Sequence, residues 1–187
     1  DATSGSVIQE NAAKVEAKGI EAAFDFRVTQ DLVTGLNVAY LDSEFKQYPN
    51  ASVYSVQGGV IANDTEDLAG SQTPHSPDFT ANMNVTYTLD LPSDWSADIT
   101  LLGHYVDSFY FNAGAGGPLR ADRQDAYTLF NLSGEIHLPG DKITVTVYTT
   151  NLTDKKYFDI VQTNQGFGVF GQPALPRMYG ARVRYSF

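Results

Sequence analysis

The chain has 187 residues, 42% hydrophobic and 12% aromatic, with 22 acidic against 12 basic side chains and a formal net charge of −10. So acidic a chain lacks the basic surface that nucleic-acid phosphates require, and the absence of cysteine excludes disulfides and thiolate metal sites. No apolar run approaches the roughly 18 residues of a membrane-spanning helix. A mean hydropathy of −0.24 nevertheless leaves a strand-built membrane protein open, because alternating strands hide an apolar face from such averages.

A period of two recurs along the chain, the mark of strands with unlike faces. Ile20, Ala22, Phe24, Phe26 and Val28 oppose Glu21, Asp25 and Arg27; Leu36, Val38 and Tyr40 follow, with Asn37 and Ala39 between them. Phe79, Ala81, Met83, Val85, Tyr87 and Leu89 alternate with Thr80, Asn82, Asn84, Thr86 and Thr88, the cleanest half-apolar strand in the sequence. The run from Ile99 to Phe111 is more mixed. Phe130, Leu132 and Ile136 then oppose Asn131, Ser133 and Glu135, and Ile143, Val145 and Val147 oppose Thr144, Thr146 and Tyr148. In the final strand, Tyr179, Ala181, Val183, Tyr185 and Phe187 alternate with Gly180, Arg182, Arg184 and Ser186. About seven strands and no convincing helix make the class all-β and antiparallel.

The connections alternate short and long. Thr29–Asp31, Asp90–Asp94 and Leu138–Asp141 are short and rich in Pro, Gly, Asp and Ser, whereas Lys46–Ser76, Asn112–Arg123 and Asp159–Leu175 read as long loops. Transmembrane β-barrels of the outer membrane have this asymmetry, with short periplasmic turns and long extracellular loops. Tyr40, Phe45 and the triplet Phe109-Tyr110-Phe111 then fall at the outer strand ends, and Trp95, Tyr185 and Phe187 near the inner ends, as aromatic girdles. An odd strand count does not close an antiparallel barrel, and an open sheet edge is not tolerated in lipid. The expectation is therefore the C-terminal part of a larger barrel, with Asp1–Ala13 as an extracellular loop and no leader visible at Asp1. The alternative is a secreted, soluble β-sandwich binding module, carbohydrate-binding in its simplest form.

Specific segments then carry a resemblance. Asn151-Leu152-Thr153-Asp154-Lys155-Lys156-Tyr157 resembles the "NLxDKxY" segment of TonB-dependent outer-membrane receptors, and Pro176-Arg177-Met178-Tyr179-Gly180 with the Phe187 ending resembles their "PRxYG…F" terminus. Asn11-Ala12-Ala13 through Lys18-Gly19-Ile20-Glu21 is similar to their "NA…KGxE" strand opening; Leu36–Tyr40 and Pro77–Thr80 are similar to the strands that follow. The resemblance implies a barrel of about 22 strands plugged by an N-terminal domain, set in the outer membrane of a Gram-negative bacterium. Residues 1–187 would supply only its C-terminal strands. It implies energised uptake of a scarce nutrient, a ferric siderophore first and an oligosaccharide second. The implied partners are the plug and earlier strands, the TonB complex through the plug region, and membrane lipid with lipopolysaccharide. Asn151, Asp154, Tyr157, Pro176, Arg177, Gly180, Tyr185 and Phe187 are the motif positions, with Phe187 resembling the terminal aromatic read during barrel assembly. Asp154 is expected to pair with Lys155 or Lys156, Gly180 to make room for a neighbour, and Arg182 and Arg184 to meet plug carboxylates or Glu21 and Asp25.

No enzyme signature accompanies this. His75, His104 and His137 lack zinc spacing and no Gly-x-Ser-x-Gly elbow is present, so neither a catalytic residue, a metal nor a cofactor is expected. Gly114–Gly117 lies between strands and reads as a flexible loop, and Asp64, Glu66 and Asp67 read as a solvated acidic loop without calcium-loop spacing. Ligand candidates are the loop aromatics Phe109, Tyr110, Phe111, Phe158, Phe167 and Phe170, with Arg120, Arg123 and Gln165 for polar contacts.

Overall fold

The computed structural model describes residues 14–57, 59–113, 122–164 and 168–187. These hold β1 (Lys14–Arg27), β2 (Leu32–Gln47), β3 (Ala51–Gln57), β4 (Val60–Glu66), β5 (Phe79–Leu91), β6 (Trp95–Val106), β7 (Phe109–Tyr110), β8 (Arg123–Gln124), β9 (Tyr127–His137), β10 (Ile143–Thr150), β11 (Phe158–Asn164), β12 (Gly168–Pro173) and β13 (Met178–Tyr185). A seven-stranded antiparallel sheet runs β1-β2-β5-β6-β9-β10-β13, and three separate two-stranded sheets are β3–β4, β7–β8 and β11–β12. Each small sheet lies within one of the long connections, all at the same end of the large sheet, called the outer end below.

The register shows why the alternation matters. In an antiparallel sheet directly opposed residues share a face. One row reads Phe24, Leu36, Met83, Gly103, Phe130; another reads Leu32, Tyr87, Ile99, Gly134, Val147, Ala181. The rows between them read Asn37, Asn82, His104 and Thr88, Asp98, Glu135, Thr146, Arg182. Seven separate period-two patterns thus merge into one apolar face and one polar face. The polar face is stitched by side chains: Thr88 donates to Asp98 at 2.7 Å, Thr146 to Glu135 at 3.2 Å, and the His104 and Asn82 side chains meet at 2.6 Å. The apolar face is uncovered, with Ile20 75%, Tyr179 72% and Val183 70% exposed. A water-soluble sheet packs such a face against a second layer; this one is shaped for an apolar solvent.

The buried apolar cluster sits instead among the outer connections, where Phe45, Ala51, Val53 and Leu68 pack together with Tyr48 against them. Phe45 is only 5% exposed. Being five residues beyond Tyr40, it points to the opposite face of β2 and belongs to this cluster, not to an aromatic girdle. The segment after β4 returns alongside β2: Phe45 N–H donates to Ser71 O at 3.0 Å, and the Ser43 and Thr73 hydroxyls meet at 2.6 Å.

Three further sequence expectations are corrected. The run Ile99–Phe111 is not one strand: the large-sheet strand ends at Val106, and Phe109–Tyr110 pairs with Arg123–Gln124 in its own hairpin. The aromatic triplet is therefore in the loop layer and not at a strand end. The long connections are not loops throughout: Lys46–Ser76 holds β3 and β4, Asp159–Leu175 holds most of β11 and all of β12, and Asn112–Arg123 links β7 to β8. Arg182 and Arg184 lie on the strand at one edge of the large sheet, and Glu21 and Asp25 on the strand at the other, so they do not meet within this sheet. Asn11–Ala13 and Gly114–Gly117 lie outside the described residues.

Beyond Ile20 and Tyr40, on the same side of the sheet, a charged cluster occupies the outer hairpin end. Lys18 Nζ is 2.7 Å and Lys46 Nζ 3.3 Å from Glu16 Oε1, and Lys46 also contacts Glu44. Hydrogen bonds from Lys18 and then Lys46 hold the Glu16 carboxyl below its ordinary value of 4.5. A lowered carboxyl stabilises the fold above that value and loses the contribution as pH falls through the lower folded value. Being solvent-exposed, the cluster is expected to matter little to global stability. Protection factors of amides at the outer ends of β1 and β2 should nonetheless fall as pH drops below the ordinary carboxyl value of 4.5, or above about 0.5 M salt, where screening shortens the range of these pairs.

Candidate functional site

The three hairpins are tied to one another by side-chain contacts. His75, with a positive φ of 54°, donates its backbone N–H to Tyr110 O at 2.8 Å and sets its ring 5.6 Å from Phe109 and 5.4 Å from Phe111. Asn112 Nδ2 donates to Asp122 at 3.0 Å and to Val161 O at 3.2 Å, joining the β7–β8 connection to β11. Gln124, 6% exposed, accepts from Phe158 N–H at 3.0 Å through Oε1 and donates to Asp125 O at 2.8 Å. Tyr127 stacks on Tyr157 with ring centres 4.6 Å apart. A buried amide that meets its partners specifies one arrangement of the strands around it.

The Asn151–Tyr157 segment forms a clasp. Asn151, at φ 50° and 5% exposed, donates through Nδ2 to Lys155 O (2.9 Å) and Leu175 O (3.3 Å), while its Oδ1 accepts from Lys155 N–H (2.8 Å). Its own N–H donates to Asn131 Oδ1 at 2.9 Å. Asparagine suits this position because its short amide tolerates positive φ while bonding local backbone. Asp154 does not pair with Lys155 or Lys156; its Oδ1 accepts from Arg177 N–H at 3.0 Å. A carboxylate at the turn satisfies a backbone donor there, so the aspartate closes the clasp. Arg177 donates to Leu152 O at 3.2 Å and lies 5.8 Å from the Tyr179 ring centre. Gly180 sits directly opposite Tyr148, whose phenol ring occupies the space a Cβ would take.

A solvent-open cavity of about 600 Å³ lies between the clasp and the hairpins. Arg123, Lys155 and Lys156 supply cations to its wall, Asp125 and Asp154 carboxylates, and Tyr157, Phe158, Pro173, Ala174 and Pro176 flat or apolar surface. Arg123 contacts Asp125 at 3.5 Å and donates to Ser108 at 2.7 Å. Burial first, and then the nearby Asp159 carboxylate, push the Tyr157 phenol above its ordinary value, so it stays a neutral hydroxyl at physiological pH. Two shallower hollows, of about 510 and 420 Å³, lie over β1, β2 and β5.

The structure brings Arg123 and Phe158 together with the motif residues Asp154, Tyr157 and Pro176 around one cavity. Phe109 and Phe111 do not line it: their rings pack on His75, Tyr110 between them accepts from His75 N–H through its carbonyl, and Phe111 is 5% exposed. Phe170 is 54% exposed on β12. Arg120, Gln165 and Phe167 lie outside the described residues. Gln124 and Asn112, which join the hairpins, carried no signal in the sequence, because a single amide in a loop gives no periodicity. Among the described residues no three His, Asp or Glu side chains are grouped as metal ligands; Asp64 and Asp67 accept instead from the backbone of Thr65 and Ala69.

Comparison with known proteins agrees with the geometry. Residues 1–152 match the family described as TonB dependent receptor-like, beta-barrel. The crystal structure of the ferric yersiniabactin uptake receptor FyuA from Yersinia pestis is similar, with a TM-score of 0.73, 21% identity and coverage of 95% of this chain and 24% of that one. The chain thus spans about a quarter of that receptor's length, and at this identity the likeness concerns the fold. These matches set aside the soluble β-sandwich and account for the uncovered apolar face, which faces lipid. The family is one of receptors and transporters, not enzymes. With seven antiparallel strands apolar on one side and polar on the other, the chain belongs to the TonB-dependent receptor β-barrels of the cell outer membrane.

Proposed function

We propose that these residues form the C-terminal strands of an outer-membrane receptor that takes up a scarce nutrient, an iron chelate before an oligosaccharide, using energy delivered by the TonB complex. The observation that carries this reading is the layer of three interlocked hairpins, all at one end of a lipid-facing sheet. A rigid wall with shaped, aromatic- and cation-bearing loops at its mouth is what selective capture from outside requires. One similar protein of known structure is a ferric yersiniabactin uptake receptor, which puts iron first among ligands. In this arrangement the rest of the receptor supplies the plug and the strands that pair with the free edges of β1 and β13.

The test is uptake of radiolabelled iron chelates by cells with and without the receptor, each with and without an uncoupler of the inner membrane. Receptor-dependent, uncoupler-sensitive uptake is the expected result; accumulation that ignores both overturns the reading. Within it, Phe170→Ala is expected to lower uptake severalfold while assembled receptor in outer-membrane fractions stays constant. Unchanged uptake would remove Phe170 from the ligand path.

A further inference from the structure

The cavity between the clasp and the hairpins is built, not incidental. Its walls come from three parts of the chain: the β8 strand, the Asn151–Phe158 segment and the end of β12. Two nearly buried amides hold those parts, Asn151 at 5% and Gln124 at 6% exposure, each with its donor and acceptor engaged. The backbone of Lys155 is pinned on both sides by Asn151, through its N–H and its carbonyl. Rigid walls lower the ordering cost of binding.

The charges of the cavity are unevenly committed. Asp154 is occupied by the Arg177 N–H, and Asp125 faces Arg123. Lys155 and Lys156 have no ion pair among the described residues. In a chain of net charge −10, a lining with Arg123, Lys155 and Lys156 against Asp125 and Asp154 carries one positive charge in excess, supplied by the two adjacent ammonium groups on a fixed loop. Beside them, the Tyr157 and Phe158 rings offer flat surface and a phenol hydroxyl that donates.

We propose that this cavity is a ligand subsite for the anionic part of a flat, oxygen-rich solute, with Lys155 and Lys156 holding its carboxylate or phenolate oxygens and Tyr157 and Phe158 contacting its rings. The proposal deepens the uptake reading and rests on it for the ligand's arrival from outside. The lysine side chains take no part in the clasp, which uses only the Lys155 backbone, so neutralising them leaves the fold in place.

The experiment uses the whole receptor in native outer-membrane vesicles and the double substitution Lys155→Gln, Lys156→Gln. Three probes are titrated: the anionic ferric tris-complex of dihydroxybenzoate, a neutral ferric trihydroxamate, and iron-free benzenetricarboxylate. Charge-assisted contacts predict a loss on the order of tenfold per lysine for the two anions and no change for the neutral chelate. Equal affinity of wild type and variant for the anions overturns the subsite, as does an equal loss for the neutral chelate. Failure of the uptake reading is separable. It shows as no receptor-dependent iron uptake while benzenetricarboxylate still binds in a lysine-dependent manner. Absence of binding by all three probes in the wild type overturns the subsite itself.

Discussion

Replacing Gly19 with valine is expected to destabilise the receptor by about 3 kcal/mol and to lower the amount that assembles. Gly19 lies in β1 opposite Leu41, and a Cβ built there falls 2.6 Å from the backbone carbonyl oxygen of Tyr40. That oxygen belongs to the β1–β2 ladder and cannot swing aside, so the two strands must separate or shift. Gly180 makes a useful contrast. Its obstacle is the far end of the Tyr148 side chain, and that ring is 39% exposed and free to rotate. Gly180→Ala is therefore expected to cost less, about 1 kcal/mol, and Tyr148→Ala to recover most of that cost in a double-mutant cycle. No side-chain truncation should rescue Gly19→Val. Denaturant midpoints of the purified receptor, read with heat-modifiable gel mobility, decide the matter. Equal effects at the two glycines would show that the β1–β2 ladder yields as readily as a side chain.

Asn151→Ala is expected to cost about 3 kcal/mol locally and to open the connection between β10 and β13. Three side-chain hydrogen bonds vanish, those to Lys155 O, Leu175 O and from Lys155 N–H, each worth about 1 kcal/mol net. Alanine also tolerates a φ of 50° less well than asparagine. Asn151→Gly removes the backbone penalty but not the lost bonds, and Asn151→Asp keeps the acceptor for Lys155 N–H while losing both donations. The expected order of protection against limited proteolysis across residues 152–177 is wild type, then aspartate, then glycine, then alanine. Since Lys155 is held by this amide, chelate binding should weaken in the same order. A protease pattern indifferent to all three variants would mean that the hairpin contacts through Gln124 and Asn112 alone hold the connection.

The legibility of the fold follows from what each strand packs against. β5, from Phe79 to Leu91, was plain in the sequence because one of its faces meets lipid along its whole length and the other meets a polar interior, so composition alternates residue by residue. β3 and β11 look like loop in the sequence because their apolar residues do not face a continuous medium: Ala51 and Val53 pack on Phe45 and Leu68, and Val161 is buried where Asn112 reaches its carbonyl. Such contacts are local and leave no regular pattern. Phe45 misled for the same reason, since an aromatic at an outer strand end suits a girdle or a loop core equally, and only the register separates them. The charged motif at Asp154-Lys155-Lys156 suggested an internal ion pair, whereas the fold gave the carboxylate a backbone donor and left the lysines to the cavity.

By itself the sequence determined the class, the direction of the strands and the alternation of short and long connections, because period-two patterning and turn chemistry act within a few residues of one another; the resemblance to the barrel family rested instead on short motifs such as Asn151–Tyr157. The sequence also marked Arg123, Phe158, Asp154, Tyr157 and Pro176 individually. Only the tertiary structure decided that these five surround one cavity, that Gln124 and Asn151 hold its walls, and that the Phe109 and Phe111 rings pack on His75 instead. The physical reason is distance along the chain. Gln124 and Phe158 are 34 residues apart, and Asn151 and Leu175 are 24 apart. Hydrogen bonds across such spans exist only after the sheet has fixed where each connection begins and ends.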